Sequence, residues 1–262
     1  LIEGRRDAAG FDARPVPHEV LAEVLASSRS VPTSANTQPW TLIVCEGAKK
    51  DKLGARLLEA HAGGDSGSAR YKLLPDATVD PVEARGDPGA VTAAHHKVGE
   101  ALREAERLAL DLSGAPLHVL LCAPRELCEE EGVMGIYLDM GSLLQSLLLG
   151  CAARGLGSKA HFSVAGYAGC CREALGGEAL GEDLLLVCGV SIGWPKGGGP
   201  AAPRPAVDAF TSWGSCDGAW LGAGGGAAGD GSAVGLVRLI QGRHCSHSLN
   251  PLRPVPSDVV RA

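Results

Sequence analysis

The sequence is poor in aromatic residues and has no uncharged apolar stretch as long as a membrane span. Phe, Trp and Tyr make up 4% of the 262 residues, whereas apolar residues make up 45%. We therefore expect a sizeable core built mainly of Leu, Val and Ala. A membrane span needs about 18 uncharged apolar residues, and the nearest stretch, residues 136–153, contains Asp139 and Gln145. We expect no membrane partner.

Signatures of several other protein classes are also missing. The net charge is −6 and no basic stripe is present, which argues against a nucleic-acid partner because such a surface needs a clustered basic face. The glycine-rich run at residues 222–231 follows no predicted strand and lacks Gly-Lys-Ser/Thr. It is therefore not a phosphate loop. No Ser-His-Asp arrangement stands out either.

The nine cysteines include no C-x-x-C pair, and most lie within apolar runs such as "HVLLC". This pattern predicts reduced, buried thiols rather than a disulfide scaffold. Neither Cys170-Cys171 nor the "HCSH" at residues 244–247 has the paired spacing of a zinc site, so we expect no metal. A cytoplasmic protein is expected. Because the chain begins at Leu1 without Met, an upstream targeting segment is left open.

Helix and strand patterns alternate along the chain and favour one sheet wrapped by helices, an α+β fold. Apolar periodicity predicts helices over Pro17–Arg29, Ala48–Ala62, His95–Leu112, Ile136–Arg154 and Tyr167–Leu175. Strands are predicted at Thr41–Cys45, Pro116–Ala123 and Leu184–Trp194, the first of them buried, and a loop at Gly155–Ser163.

Composition divides the chain into a domain at residues 1–214 and a tail at residues 215–262. The tail is rich in Gly and Pro, a composition typical of linkers or disorder. Residues 63–92 of the domain are rich in Gly, Pro and Asp. They predict a long, mobile excursion.

Three short stretches carry polar groups suited to binding. The arginines of "EGRRD" could bind a phosphate bidentately, or they could be a solvated pair at a terminus. In "SVPTSANTQPW", residues 30–40, the amides suit a heterocycle with donors and acceptors, although a self-satisfied loop would look the same. In "GLGSKAHFS", His161 could be a general acid, a stacking ring or a structural residue. Arg204 is uninformative alone.

Together these stretches resemble the FMN-dependent nitroreductase family. The resemblance is carried by "GRRDAAGFDARPVPHEVLAEVLASSRSVPTSANTQPW", "GAPLHVLLCA", "YLDMGSLLQSLLLGCAARGLGS", "LLLVCGVSIGWP" and "RPAVDAF", and covers about residues 2–214. It implies a three-layer fold with a central mixed sheet and an intimate homodimer that holds FMN at its interface. The helix from Ile136 would then be the central dimer helix.

The resemblance also implies roles for individual residues. Arg5 and Arg6 match the basic pair that binds the FMN phosphate, and Arg204 resembles a late arginine that joins them. The segment that reaches the flavin from the other subunit is matched by Pro32, Thr33, Ser34 and Asn36, with Gln38 supporting it. The segment beside the flavin ring is matched by Ala160, His161 and Phe162, where a backbone N–H commonly faces the flavin N5.

The implied reaction passes a hydride from NAD(P)H to FMN and then electrons to a small planar acceptor, a nitroaromatic or a quinone. The protein supplies binding and orientation, so no catalytic side chain is named. Two alternatives stay open. The same fold could carry out flavin fragmentation or reductive dehalogenation, or the chain could bind flavin without turnover.

A first prediction follows from a departure from the family pattern, since Asp7 and Ala9 stand where the family often has Ser and a cation. Loss of a cation near the flavin's pyrimidine end predicts a less positive reduction potential, unless Lys72 or Lys159 substitutes. Redox titration of the wild type, Lys72→Ala and Lys159→Ala measures this. An ordinary flavin potential that neither substitution changes would contradict the prediction.

Overall fold

The computed structural model describes residues 1–65, 107, 109–129 and 134–198. Several sequence predictions lie outside these residues, namely Lys72, Arg204, the tail at 215–262, most of the excursion at 63–92 and most of the helix predicted over His95–Leu112. The part that is described contains a sheet with helices on both faces.

The sheet has four strands in the order β1-β2-β4-β3. Their bounds are Thr41–Glu46 (β1), Leu117–Pro124 (β2), Gly157–His161 (β3) and Leu184–Gly193 (β4). Every pairing between these described strands is antiparallel, so the expected mixed sheet has no parallel pair in this part of the chain. The two central strands, β2 and β4, are buried almost throughout, which explains their continuous apolar sequences.

Four helices agree with their predicted bounds to within one residue at each end, and the short helix Arg125–Glu129 was not predicted. The helices are His18–Ser28 (α1), Gly47–Ala62 (α2), Arg125–Glu129 (α3), Gly135–Ala153 (α4) and Ala168–Leu175 (α5). Alternate residues of β2 point to opposite faces of the sheet. Leu121 belongs to one core with Leu147 of α4, and Leu120 belongs to a second core with Leu57 of α2. The described residues thus form three layers, as the sequence predicted.

Helix α4 is long and apolar enough to cross a membrane, with a mean hydropathy of 1.4 over 18 residues, and half of that window is buried inside the protein. A core helix has the same properties. Leu147 and Cys151 are fully buried, whereas Leu138 is 72% exposed. One side of this apolar helix therefore faces outward in the single chain.

Two predictions were wrong in detail. The loop predicted at Gly155–Ser163 contains a strand, because Gly157–His161 pairs with β4 in regular register. The strand predicted at Thr41–Cys45 exists but is not buried as a whole. It lies at an edge of the described sheet, with Cys45 buried and Val44 38% exposed.

The prediction of buried, reduced thiols is confirmed for the cysteines that the structure describes. All seven are free, and all are buried except the half-buried Cys128. Burial raises the pKa of Cys45 to about 11 and that of Cys122 to about 12. Because the thiolate is the reactive form, these cysteines are unreactive near neutral pH.

Two histidines share one buried serine in the centre of the sheet. The Ser191 hydroxyl donates to the Leu112 carbonyl oxygen at 2.7 Å. Having only one proton, it must accept from His118 Nδ1 at 3.2 Å and from His161 Nε2 at 2.9 Å. Each ring therefore carries a proton on the nitrogen that faces Ser191.

Desolvation opposes protonation of both rings. It lowers the pKa of His118 to about 3, helped by the neighbouring His161. It also lowers the pKa of His161 to about 4, helped by the charge of Lys159. In the unfolded chain both rings return to the ordinary value of 6.5.

A second prediction is that acid destabilises the fold through these histidines. Below about pH 6.5 the unfolded chain binds protons that the folded chain does not, so the free energy of unfolding falls by about 1.4 kcal/mol per pH unit for each ring until its folded pKa is reached. Between pH 7 and pH 5, each ring lowers the free energy of unfolding by about 2 kcal/mol. Urea denaturation at both pH values measures this loss.

Isosteres that keep the donor but do not titrate provide the comparison. His118→Asn retains a donor near the Nδ1 position, and His161→Gln retains one near Nε2. Each is expected to lose less stability on acidification than the wild type. His18→Asn, at an exposed position, should behave as the wild type does. An equal acid loss in all four proteins would contradict the prediction.

Candidate functional site

The N-terminal strip, residues 4–11, lies across the start of β3 and the segment after β4. The Ala8 N–H donates to the Ser158 carbonyl oxygen at 3.1 Å. Ala8 also forms a bridge with Gly198, and Phe11 forms one with Pro195. These contacts fix the backbone that directly follows Arg5 and Arg6.

A cavity of about 500 Å³ opens beside the strip. Arg5 and Arg6 line it, and the C-terminal end of α4 contributes Ala152. The rest of the lining is mostly backbone from glycine-rich segments, including Gly155, Gly157, Gly197 and Gly198. A ligand in this cavity would meet two cations and closely approachable main chain.

The absence of a side chain at Gly157 allows the strip to lie this close. A Cβ there would sit 2.8 Å from Pro195 Cβ and 3.0 Å from Ala8 Cβ. A Cβ at the paired Gly193 would likewise sit 2.6 Å from Pro116 Cδ. Glycine in a strand often marks such a close approach, so these positions explain how the arginines reach the cavity.

The two arginines are held differently. Arg5 Nη1 forms an ion pair with Asp7 Oδ1 at 3.0 Å, and the Arg5 side chain is 18% exposed. Arg6 Nη1 donates to the backbone oxygens of Glu3 and, at 2.9 Å, of Arg5. A guanidinium has five N–H donors, so both retain donors for a ligand. Asp7, at the position where the family often has Ser, orients Arg5.

This donor set fits the phosphate group of FMN. Guanidinium forks match phosphate oxygens in geometry and charge, and a glycine-lined wall lets a phosphate approach the backbone. Each charge-assisted hydrogen bond contributes roughly 1.5–3 kcal/mol. Arg204, the third arginine implied by the resemblance, lies outside the described residues.

The polar loop Pro32–Gln38 projects from the surface and contains the short 3-10 turn Ser34–Asn36. Ala35, Asn36 and Gln38 all have left-handed backbone angles, with φ of 50°, 59° and 47°. The Gln38 N–H donates to Thr33 Oγ1 at 3.4 Å, and Gln38 Nε2 donates to the Asn36 carbonyl oxygen at 3.3 Å. Gln38 thus contacts two other residues of the same loop.

A residue that the sequence did not single out as functional anchors this loop. The buried Asp139 of α4 accepts hydrogen bonds from the Ser34 N–H and the Thr37 hydroxyl. The signal for it was a lone carboxylate in an otherwise apolar helix. A carboxylate in an apolar helix is unusual, but the sequence does not show which residues it contacts.

Ala160 and His161 end β3, and Phe162 follows immediately. Since a strand rises about 3.3 Å per residue, His161 lies roughly 10 Å along β3 from Ser158 of the cavity. The His161 ring points inward to Ser191 and is 2% exposed, whereas Phe162 is 46% exposed. A stacking or acid role for the His161 side chain is therefore excluded by its burial and neutral state.

The structure brings Arg5 and Arg6 together with β3, but it does not bring the loop to them. The loop contacts the N-terminal turns of α4 through Asp139, while the cavity includes Ala152 at the other end. From Asp139 to Ala152 the helix rises about 20 Å. One chain therefore presents two separate half-sites.

Comparison with known proteins gives consistent matches. The chain is 26% identical over 199 residues to a 4-nitrobenzoate reductase of Pseudomonas putida, covering 74% of this chain and 83% of that protein. It is 30% identical over 209 residues to the nitroreductase NfnB of Mycolicibacterium smegmatis, covering 74% and 81%.

Solved structures show the same likeness. The crystal structure of the FMN-dependent nitroreductase NfnB from Mycobacterium smegmatis in complex with NADPH matches with a TM-score of 0.67 and 26% identity, covering 81% of this chain and 95% of that one. In sequence, residues 2–194 match the profile of the Nitroreductase family. The chain belongs to the nitroreductase family.

Proposed function

We propose that this protein is an FMN-dependent oxidoreductase that uses NAD(P)H to reduce nitroaromatic or quinone-type acceptors. The observation that carries the proposal is the glycine-lined cavity with Arg5 and Arg6 on its wall. Relatives named as nitroreductases and a similar structure described as FMN-dependent and in complex with NADPH support the same activity.

The residues then divide the work of binding and orientation. When bound, FMN supplies two-electron transfer from NAD(P)H to the acceptor. Arg5 and Arg6 would bind its phosphate, and the backbone of Ala160–Phe162 would lie beside its ring. His161 is not placed to move a proton, because its ring is buried and hydrogen-bonded to Ser191. We assign no catalytic side chain.

A homodimer would complete the site. The loop Pro32–Gln38 and the cavity lie at opposite ends of α4, so one chain's loop would serve its partner's flavin. The outward-facing Leu138, 72% exposed, offers an apolar contact along the same helix. A two-fold axis across α4 brings each loop toward the other chain's cavity, as an isologous interface requires.

We also propose a cytoplasmic location. The described cysteines are unpaired, and thiols stay reduced in cytosolic compartments. The physiological acceptor is expected to be small and planar, because stacking on a flavin ring demands little else of it.

The third prediction tests the function directly. The purified protein should be yellow, and NADPH or NADH should bleach the flavin absorbance without oxygen. A nitroaromatic should then restore the colour and be reduced. A colourless protein that takes up no added FMN would overturn the proposal. Bleaching without reduction of any acceptor would favour flavin binding without turnover, and breakdown of FMN in the presence of oxygen would favour flavin fragmentation.

The fourth prediction tests the shared site. Arg5→Ala/Arg6→Ala and Asn36→Ala should each weaken FMN binding by about tenfold or more, since each removes hydrogen bonds to the cofactor. Ser30→Ala, at the helix end of the same stretch, should bind FMN as the wild type does. Fluorescence titration of FMN measures all three affinities.

Mixed dimers make this test decisive. A dimer of one Arg5→Ala/Arg6→Ala chain and one Asn36→Ala chain contains one doubly defective site and one intact site if the loop acts across the interface. Half of its sites should then bind FMN with wild-type affinity. If no tight site is recovered, the arginines and the loop act within one chain.

A further inference from the structure

The carboxylate of Asp139 is the point where the polar loop meets α4. Its Oδ1 and Oδ2 accept the Ser34 N–H at 3.3 and 3.1 Å, and Oδ2 also accepts the Thr37 hydroxyl at 3.4 Å. Asp139 is 5% exposed. Its hydrogen bonds therefore come from the loop and not from a broad water shell.

The anchored residues bracket the unusual backbone of the loop. Ser34 precedes the left-handed Ala35 and Asn36, and Thr37 precedes the left-handed Gln38. Such angles cost roughly 1–2 kcal/mol per non-glycine residue, less for Asn. They persist only where surrounding contacts determine them. Asp139 supplies those contacts on both sides of the turn.

No cation shares this carboxylate among the described residues, whose ion pairs do not include Asp139. A buried charge without an ionic partner is costly unless hydrogen bonds satisfy it. Here the loop donates hydrogen bonds to the carboxylate, which in turn accepts from the Ser34 N–H and the Thr37 hydroxyl. The close packing of Gly135, where a Cβ would lie 3.3 Å from Ser34 Oγ, leaves the loop little freedom to move away.

We propose that Asp139 is a positioning residue for the flavin: it fixes Thr33, Ser34 and Asn36 on α4 at the distance from the partner's cavity that the cofactor needs. This inference rests on the proposed function. Because α4 also carries Ala152 at the cavity, a single stiff helix sets the spacing of both half-sites. With FMN bound beside the loop, the negative charge of Asp139 would add a second effect, since it would oppose the gain of negative charge on reduction of the flavin.

Two substitutions at Asp139 separate position from charge. Asp139→Asn keeps a carbonyl oxygen for the Ser34 N–H and an amide donor toward the Thr37 hydroxyl, so it preserves the anchor while removing the charge. Asp139→Ala removes the anchor altogether. Thr37→Val removes only the hydroxyl contact. As a matched control, Asp51→Ala removes a carboxylate that is 69% exposed on α2.

The fifth prediction concerns FMN affinity and flavin potential in these variants. Asp139→Ala should weaken FMN binding by about tenfold or more, as expected for lost hydrogen bonds to a charged group, and Thr37→Val should weaken it less. Asp139→Asn should bind FMN within about threefold of the wild type, with the flavin potential shifted upward. Asp51→Ala should change neither quantity.

Amide hydrogen exchange supplies a readout that does not depend on the cofactor. In the apoprotein the Ser34 amide should exchange faster in Asp139→Ala than in the wild type, and Asp139→Asn should restore its protection. Wild-type affinity and potential in Asp139→Ala would overturn the inference. So would equal loss of FMN in Asp139→Ala and Asp139→Asn with unchanged Ser34 exchange. A wild type that binds no FMN overturns the proposed function, while Ser34 exchange still decides the anchor.

Discussion

The length of α4 is the constraint on which the rest of the site depends. Its first turns hold the polar loop through Asp139, and its last turn forms part of the cavity with Ala152. A hydrogen-bonded helix does not shorten, so about 20 Å remain between these points whatever the side chains do. The proposed dimer accounts for this spacing, because it pairs the loop of one chain with the arginines of the other. The apolar composition of α4 also suits the proposed dimer, because one side of the helix packs in the core while Leu138 faces outward.

The second constraint is the close approach of the N-terminal strip to the sheet. Gly157 and Gly193 pair with each other, and neither position has room for a Cβ. The strip can therefore lie against β3 and the end of β4, where Trp194 Nε1 also donates to the Pro15 carbonyl oxygen at 3.2 Å. Sheet packing therefore places the wall of the cavity that carries the two arginines.

Much of this fold was predictable because the chain carries strong periodic signals. The stripe in α1, the all-round apolar sequence of α4 and the runs in β2 and β4 gave correct elements. β3 was missed because "GSKAH" is short and lacks the β-branched residues of a typical strand, and only its pairing with β4 makes it one. β1 was taken as buried because apolar composition does not reveal whether a strand has a second neighbour.

The candidate site was less predictable than the fold. Residue types alone left Arg5, Arg6 and the polar loop ambiguous, and only their order along the chain suggested one binding site. Asp139 interrupted an apolar helix, but its partners lie in a segment that precedes it in the chain by β1, α2, β2 and α3. Contacts of that kind depend on tertiary packing, which local pattern does not encode.

His161 is buried beneath the end of β3, so its imidazole is not presented on the outer side of that strand. The Ser191 hydroxyl donates its only proton to the Leu112 carbonyl oxygen, so His161 Nε2 must donate to the Ser191 oxygen. This hydrogen bond holds the His161 ring in the core. The ring lies buried beneath the end of β3, hydrogen-bonded to Ser191. What remains available on the outer side is the backbone of residues 160–162 and the exposed Phe162. The role we propose for the protein is therefore to position the cofactor. His161 supports the end of β3, the sheet positions Arg5 and Arg6, and Asp139 anchors the polar loop.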